Sequence, residues 1–400
     1  MRHANRAPAP ELMQKQYFEQ LTWLRGIAAF FVIVSHTMRS AEVVYGPGDV
    51  GSRFLPMNLL DLGTFGVCLF LVLSGCTLYL SNASRVNSLG DVGRFYVKRI
   101  LRIWPAFAVS LVFYIAFIEA FAAFYTGNKE YWIAHFLTPY TTADVLRYLL
   151  LVFDYTGPKN VFNGAYWSLP IEFRYYLLMP LVLLLMRRKL VGIGASLLTI
   201  GLLYFVFLNP GLIAMDRYEF FQLGFTFFGG VVIAALFDQV RWRMRFSLGF
   251  ILFLGCVALA SAIRLDYIFL PREMFFFSDK TNCYGLIAIV ATALALYVKP
   301  IAVKSWITDC IYKYGVISYS TYLFHLLFAG IAVLLVMQFQ IYGNYSKLLF
   351  IFTIIFVGSY FAATISYRLF EVPFIALGRK YGYTGPKVFA TTATSVRSPS

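Results

Sequence analysis

The chain has 400 residues, of which 60% are apolar, 19% aromatic and only 13% charged. That balance excludes a soluble domain of this size and leaves a polytopic membrane protein. The net charge of +15 reflects orientation rather than a nucleic-acid face, because the basic residues collect between apolar stretches on one side of the membrane.

Ten apolar stretches are long enough to cross a bilayer, at about 21–38, 59–80, 105–125, 168–186, 190–208, 219–237, 246–263, 281–298, 315–338 and 348–370. With the N-terminus inside, the cytoplasmic segments carry roughly twice as many Lys and Arg as the outer loops, which sets both termini in the cytoplasm. The expected fold class is all-α, with a cytoplasmic segment 1–20, a transmembrane domain 21–377 and a disordered cytoplasmic tail 378–400 rich in Thr, Ser and Pro. The first twenty residues are polar and show no small-residue cleavage site after an apolar core. The stretch 21–38 is therefore expected as a retained helix and not as a removed signal. The five cysteines (Cys68, Cys76, Cys256, Cys283, Cys310) follow no metal or redox spacing, so neither a disulfide framework nor a metal site is expected.

The first stretch, LTWLRGIAAFFVIVSHTM, contains Arg25 and His36. Ionisable groups are costly in hydrocarbon and mark functional sites there. Eleven residues at about 100° each bring both onto one helix face, roughly 17 Å apart along the axis. One helix thus offers a cation near the cytoplasmic surface and an imidazole well toward the other side. The connection 81–104 follows, with Arg85, Arg94, Lys98, Arg99 and Arg102 against the lone Asp91. In FYVKRILRIWP, Lys98, Arg99 and Arg102 cluster at the start of a helix. The planar fork of Arg suits phosphate oxygens of a nucleotide or coenzyme; lipid head groups and plain orientation would use the same cluster.

The outer connection 126–167 is long for a loop without structure of its own. Its run 146–153 is too short to cross and fits a re-entrant or interfacial helix. Such a loop either lies over an acceptor site or simply packs, and its aromatics (Tyr131, Trp132, Tyr140, Tyr155, Tyr166, Trp167) suit sugar rings or an interfacial belt. Glu172, in NGAYWSLPIEFRYYLLMP, follows Pro170 in a first helical turn, where the helix dipole favours an acid. It is expected just inside the outer face at the depth of His36, placed to orient that imidazole or favour its charged form. In GVISYSTYLFHLLF, Ser318, Thr321 or Tyr322, and His325 form one polar stripe that serves interhelical hydrogen bonds or substrate contact. Arg368 and Glu371, at i and i+3, read as an ion pair closing the last span. His3 lies in a polar tail and His135 in a loop, and neither is given a role.

Several of these stretches together resemble the integral-membrane acyltransferase-3 family. LRGIAAFFVIVSH is similar to its opening, in which a basic residue precedes a His across ten others; GVCLFLVLSGCTL is similar to its second span. FYVKRILRIWP resembles its basic cytoplasmic loop, NGAYWSLPIEFRYY its WSL-x-x-E segment, ISYSTYLFH its SY-x-x-YL-x-H helix and YRLFEVP its closing E-x-P. All fall in the family's order from residue 21 to 373. Thr22 stands where many members carry Asp, and Cys76 where an aromatic is usual.

The resemblance implies transfer of an acyl group, usually acetyl, from cytoplasmic acyl-CoA to a carbohydrate hydroxyl. The acceptor class is a surface polysaccharide, O-antigen, exopolysaccharide or glycolipid, and the location is the inner (cytoplasmic) membrane. Catalysis falls to His36, with Arg25 as its paired basic residue and Glu172 in support. Coenzyme contacts fall to Arg99 and Arg102 with Lys98 beside them. Trp167, Ser168, Tyr322 and His325 are the expected substrate contacts. Acetyl-CoA, or another acyl-CoA, is then a donor substrate, and no metal is expected. His36 acts either as general base on the acceptor hydroxyl or as a transient acyl carrier. The rival reading is a proton-coupled transporter or flippase, which intramembrane Arg, His and Glu would also suit, although no internal repeat or pair of broken helices supports it.

Overall fold

The computed structural model describes residues 10–45, 54–127, 132–154, 161–212, 219–237, 240, 242–268, 275–299, 305–339, 341 and 343–381. Among them the regular structure is helical, apart from an isolated bridge between Met244 and Val298. Ten helices are long and apolar enough to cross a membrane: Glu19–Tyr45, Leu55–Asn82, Leu89–Phe124, Gly164–Leu185, Lys189–Leu208, Glu219–Phe237, Phe246–Arg264, Lys280–Tyr297, Ser318–Phe339 and Asn344–Lys380. Each covers one stretch read from the sequence, so the protein is an all-α, multi-pass membrane protein.

The ends differ from the expected boundaries. The first helix, α1 (Pro10–Tyr45), begins inside the segment expected as a lead, and residues 1–9 lie outside the described residues. At the other end helix continues to Lys380, and the expected tail from 382 onward also lies outside the described residues. After α2 (Gly63–Asn82) comes α3 (Leu89–Phe124), 36 residues long. Lys98, Arg99 and Arg102 therefore sit within a continuous helix and not in a connection, because the turn is made earlier, at 83–88. Ser88 caps it by accepting the Asp91 amide at 3.2 Å, and Arg94 pairs with Asp91 at 3.0 Å.

The remaining described α-helices of eight residues or more are α4 (Thr142–Leu149), α5 (Ser168–Leu185), α6 (Lys189–Leu208), α7 (Gly224–Phe237), α8 (Phe246–Arg264), α9 (Lys280–Tyr297), α10 (Trp306–Val316), α11 (Ser318–Phe339), α12 (Asn344–Ser366) and α13 (Val372–Lys380). α1 is central, packed against α2, α9, α10, α11 and α12. α6 is peripheral: it fully buries just Gly192 and Ser196, rests Ile193, Ile200 and Leu203 against the core, and leaves Leu190, Leu197, Leu198, Leu202 and Phe205 exposed on the outside of the bundle. Between α2 and α7 the backbones touch. A Cβ on Gly75 would lie 2.0 Å from the Phe227 carbonyl oxygen, and one on Gly230 would lie 2.1 Å from that of Val72. Small residues allow this close approach, which supplies packing where lipid offers no hydrophobic drive.

α3 also serves as a ruler for depth, because each helical residue advances about 1.5 Å. Tyr140 donates to the Glu119 carboxylate at 3.2 Å, and the Trp104 indole donates to the Leu149 carbonyl at 2.9 Å. The outer connection therefore descends along α3 by roughly 22 Å, which makes α4 the descending limb of a re-entrant hairpin. Thr141 and Asp144 form a capping box at its start. The chain reverses near Leu151, which adopts φ +56, a rare conformation for a leucine. Asp154 then grips Arg174 of α5 through two contacts of 2.5 Å. On the return, Tyr166 bonds the Ser110 hydroxyl at 2.6 Å. α5 thus starts at mid-depth beside Ser110, and this sets the position of everything after it.

Candidate functional site

A cavity of about 660 Å³ lies among the basic residues of α1 and α3, within the usual ~300–1,000 Å³ range of ligand pockets. Its wall holds Arg25 from α1, Arg99 and Arg102 from α3, Glu172 from α5 and Arg379 from α13. Four guanidinium groups face one carboxylate there, so the interior favours an anion. Arg25 donates to the Thr77 hydroxyl at 2.9 Å, which aims its fork across the cavity. Arg99 lies over the Phe95 ring at 5.8 Å. Arg102 sits 3.8 Å from Glu371, which is fully buried and accepts from Ser320 at 2.6 Å.

Several expected site residues meet here: Arg25, Arg99, Arg102, Glu172, Ser168 and Tyr322 all line the cavity. Others do not. Lys98 is not among the lining residues and lies against Gly378 of α13. Trp167 belongs to a separate small crevice with Asp154, Ile171, Glu219 and Phe220. Tyr131 and Tyr155 lie outside the described residues.

Two expectations need correction. Glu172 is not placed to orient His36. It accepts from Ser74 at 2.6 Å and from the Tyr176 hydroxyl, and it lies in the arginine cavity. The cause is the start of α5 at mid-depth, which carries Glu172 to the cytoplasmic side of Ser168. Nor does Glu371 close an i, i+3 pair with Arg368. Residues Tyr367–Glu371 form a π turn, which turns the carboxylate inward to Arg102.

The inner end of the cavity is a polar layer. The Tyr322 hydroxyl donates to the Ala165 carbonyl, so the Ser168 hydroxyl, 2.8 Å away, must donate to Tyr322. Immediately beyond is His325, its ring 5.7 Å from that of Tyr322. Its Nδ1 faces the Tyr322 carbonyl at 2.8 Å. The His36 ring lies 4.9 Å from that of His325, and Trp132 packs on the far side of His36 at 5.7 Å. Trp132 in turn stacks on His135 at 5.7 Å.

His135 is a site residue that sequence reasoning missed. It follows Trp132 in a short 3₁₀ turn of the outer connection, Trp132–Leu137, where no periodicity or flanking motif marks it. Its Nδ1 faces the Trp132 carbonyl at 2.6 Å, and burial pushes its pKa down to about 4. The signal available was its spacing from Trp132, which sets both side chains on one side of a 3₁₀ turn. Four nitrogens in this cluster are buried and have no hydrogen-bonding partner in the structure: His36 Nδ1, Trp132 Nε1, His135 Nε2 and His325 Nε2. Leaving a buried donor or acceptor unsatisfied costs about 1–3 kcal/mol, so four in one place point to a function.

An anion-favouring cavity thus abuts a cluster of imidazoles inside a bundle of membrane-spanning helices. Comparison with known proteins gives the class. The chain matches the family described as acyltransferase domain over residues 18–368, and it belongs to that family. A protein of Acidianus two-tailed virus named as an acetyltransferase is 26% identical over 328 residues, covering 79% of this chain and 84% of the viral one. Nodulation protein 10 of Rhizobium leguminosarum bv. viciae is 30% identical over 171 residues, 41% of this chain and 44% of that protein. No solved structure matches the chain. The protein is therefore an acyltransferase enzyme, and family membership decides against the transporter reading.

Proposed function

We propose that the protein transfers an acetyl group from cytoplasmic acetyl-CoA to a hydroxyl of a surface or exported carbohydrate, in the inner membrane. The observation that carries this reading is the continuity of the polar groups. Arg25, Arg99, Arg102 and Arg379 surround the cytoplasmic cavity, and its Ser168–Tyr322 end wall directly precedes His325 and His36. The name of the viral relative favours acetyl as the acyl group.

In this reading Arg25, Arg99 and Arg102 hold the donor phosphates by charge-assisted hydrogen bonds, and Lys98, which lies outside the cavity wall, does not contact them directly. Arg25 lies roughly 17 Å along α1 from His36, so it acts on the donor and not on the reacting carbonyl. The thioester passes the Ser168–Tyr322 layer to reach His36. There the acceptor hydroxyl attacks the thioester carbon while His36 takes its proton; the C–O bond forms, the C–S bond breaks, and the imidazolium returns the proton to the departing thiolate. Glu172 keeps the Ser74–Tyr176 wall in place.

The test is mass spectrometry of surface glycans after feeding isotope-labelled acetate to cells with the wild-type chain, His36→Ala or no chain. Labelled O-acetyl groups should vanish in the null and in normally inserted His36→Ala. An acetylation pattern identical in all three strains removes the glycan reading.

A further inference from the structure

We propose that Trp132, His135 and His325 form a binding subsite for the hydroxyls of the acceptor, on the outer side of His36. The proposal rests on the acetyltransfer reading above and deepens it. Its first support is hydrogen-bond polarity. A carbonyl oxygen only accepts, so the Nδ1 of His325 facing the Tyr322 carbonyl and the Nδ1 of His135 facing the Trp132 carbonyl must both carry protons. In a neutral imidazole the opposite nitrogen is then a bare lone pair. His135 and His325 therefore each present an Nε2 acceptor, and both of these atoms are buried without a partner. The indole Nε1 of Trp132 can only donate, and it too is buried without a partner.

These three groups ask for a specific ligand chemistry. Two acceptors require two O–H donors, and one N–H donor requires an oxygen lone pair. A hydroxyl supplies both functions, and neighbouring hydroxyls on one small scaffold supply them together. An acyl chain satisfies none of them, and an anion would satisfy the indole while facing two lone pairs. The site thus selects a polyhydroxylic acceptor over the donor, which the arginine cavity already serves. His36 lies between Trp132 and His325, with ring separations of 5.7 and 4.9 Å, so a hydroxyl held there is beside the imidazole proposed to deprotonate it. Gly164 backs the His135 ring: a Cβ there would make ordinary van der Waals contact, 3.8 Å from Cε1 and 4.0 Å from Nε2, so the absence of a side chain at 164 leaves room for about one methyl-sized group beside the ring.

The chain position adds a second argument. Trp132 and His135 belong to the outer connection, not to a membrane helix. Trp132 packs on His36 from the side away from His325, and His135 stacks behind Trp132. An acceptor that reaches His36 from the outer face meets these two side chains first.

The experiment uses the full chain in lipid nanodiscs, with [14C]acetyl-CoA as donor and base-de-O-acetylated surface glycan of the producing cells as acceptor probe. Trp132→Phe keeps the ring and removes only the N–H. His135→Gln keeps an acceptor oxygen, while His135→Leu removes it. Trp132→Phe and His135→Leu should each raise the KM for glycan at least fivefold, with His135→Gln intermediate. Binding of [14C]acetyl-CoA, measured by equilibrium dialysis, should stay within twofold of wild type in all three. A glycan KM unchanged in both Trp132→Phe and His135→Leu, with wild-type transfer intact, overturns this subsite and leaves the acetyltransfer reading standing. Absence of glycan labelling by the wild-type protein overturns both.

Discussion

Arg102 stands between the cavity and the buried Glu371 carboxylate, and its two roles can be separated. Removing one partner of a fully buried pair costs about 3–5 kcal/mol, but Arg102 is 32% exposed, which lowers the expected loss to about 1–2 kcal/mol. Arg102→Ala should therefore lower the melting temperature and weaken acetyl-CoA binding about tenfold or more, the scale of a hydrogen bond to a charged group. Adding Glu371→Gln should restore the melting temperature and leave binding weak. A double variant that binds acetyl-CoA like wild type would remove Arg102 from the donor site. His135 gives a pH test of stability. Its folded pKa of about 4 lies below the ordinary value near 6.5. Below 6.5 the unfolded chain gains a proton that the native state refuses, so stability falls as pH drops from 6.5 toward 4. In His135→Gln this part of the decline should disappear from melting curves across that window. At this scale the sequence is informative wherever a charge interrupts an apolar run, as at Arg25, His36, Arg99 and Arg102. It misleads at Glu371, because the i, i+3 rule assumes α geometry and a π turn breaks it. At His135 it offers just the three-residue spacing from Trp132, in a loop with no periodicity to give that spacing weight.

The re-entrant hairpin is the element that most changes the site. The sequence shows that 146–153 is too short to cross, which fits a re-entrant or an interfacial helix, and hydropathy neither chooses between them nor gives a depth. That depth is set by long-range contacts, Trp104 with Leu149 and Asp154 with Arg174, and it moves Glu172 from beside His36 into the arginine cavity. Asp154 and Arg174 are 5% and 13% exposed, so the pair is buried and bidentate. Asp154→Ala removes the bidentate partner of the guanidinium and should cost about 3 kcal/mol, read as a lower melting temperature and faster hydrogen exchange in α4. Replacing both partners, Asp154→Leu with Arg174→Met, should recover most of the stability, because the uncompensated charge is then gone. If Asp154→Ala leaves exchange in α4 unchanged, the ion pair does not hold the hairpin in place.

Across the whole molecule the polar groups form two neighbouring clusters, which the proposed function reads as a donor half-site and an acceptor half-site. The basic cavity is assigned by charge asymmetry to the cytoplasmic half, and the imidazole cluster lies under the 3₁₀ turn that carries Trp132 and His135. Charge asymmetry alone orients the chain, so the two faces should differ in access to a membrane-impermeant reagent. Ser81 lines the cavity and Ala134 lies in the outer turn, which makes them suitable reporters. The native cysteines must first be replaced, since Cys310 is exposed and Cys256 partly so. In that background Ser81→Cys should react with a charged methanethiosulfonate in inside-out vesicles, and acetyl-CoA should protect it. Ala134→Cys should react in right-side-out vesicles, with no protection by acetyl-CoA. The opposite pattern would invert the assigned orientation. Protection of both positions by acetyl-CoA would mean that donor and acceptor share one entrance, and a two-sided transfer would then be untenable.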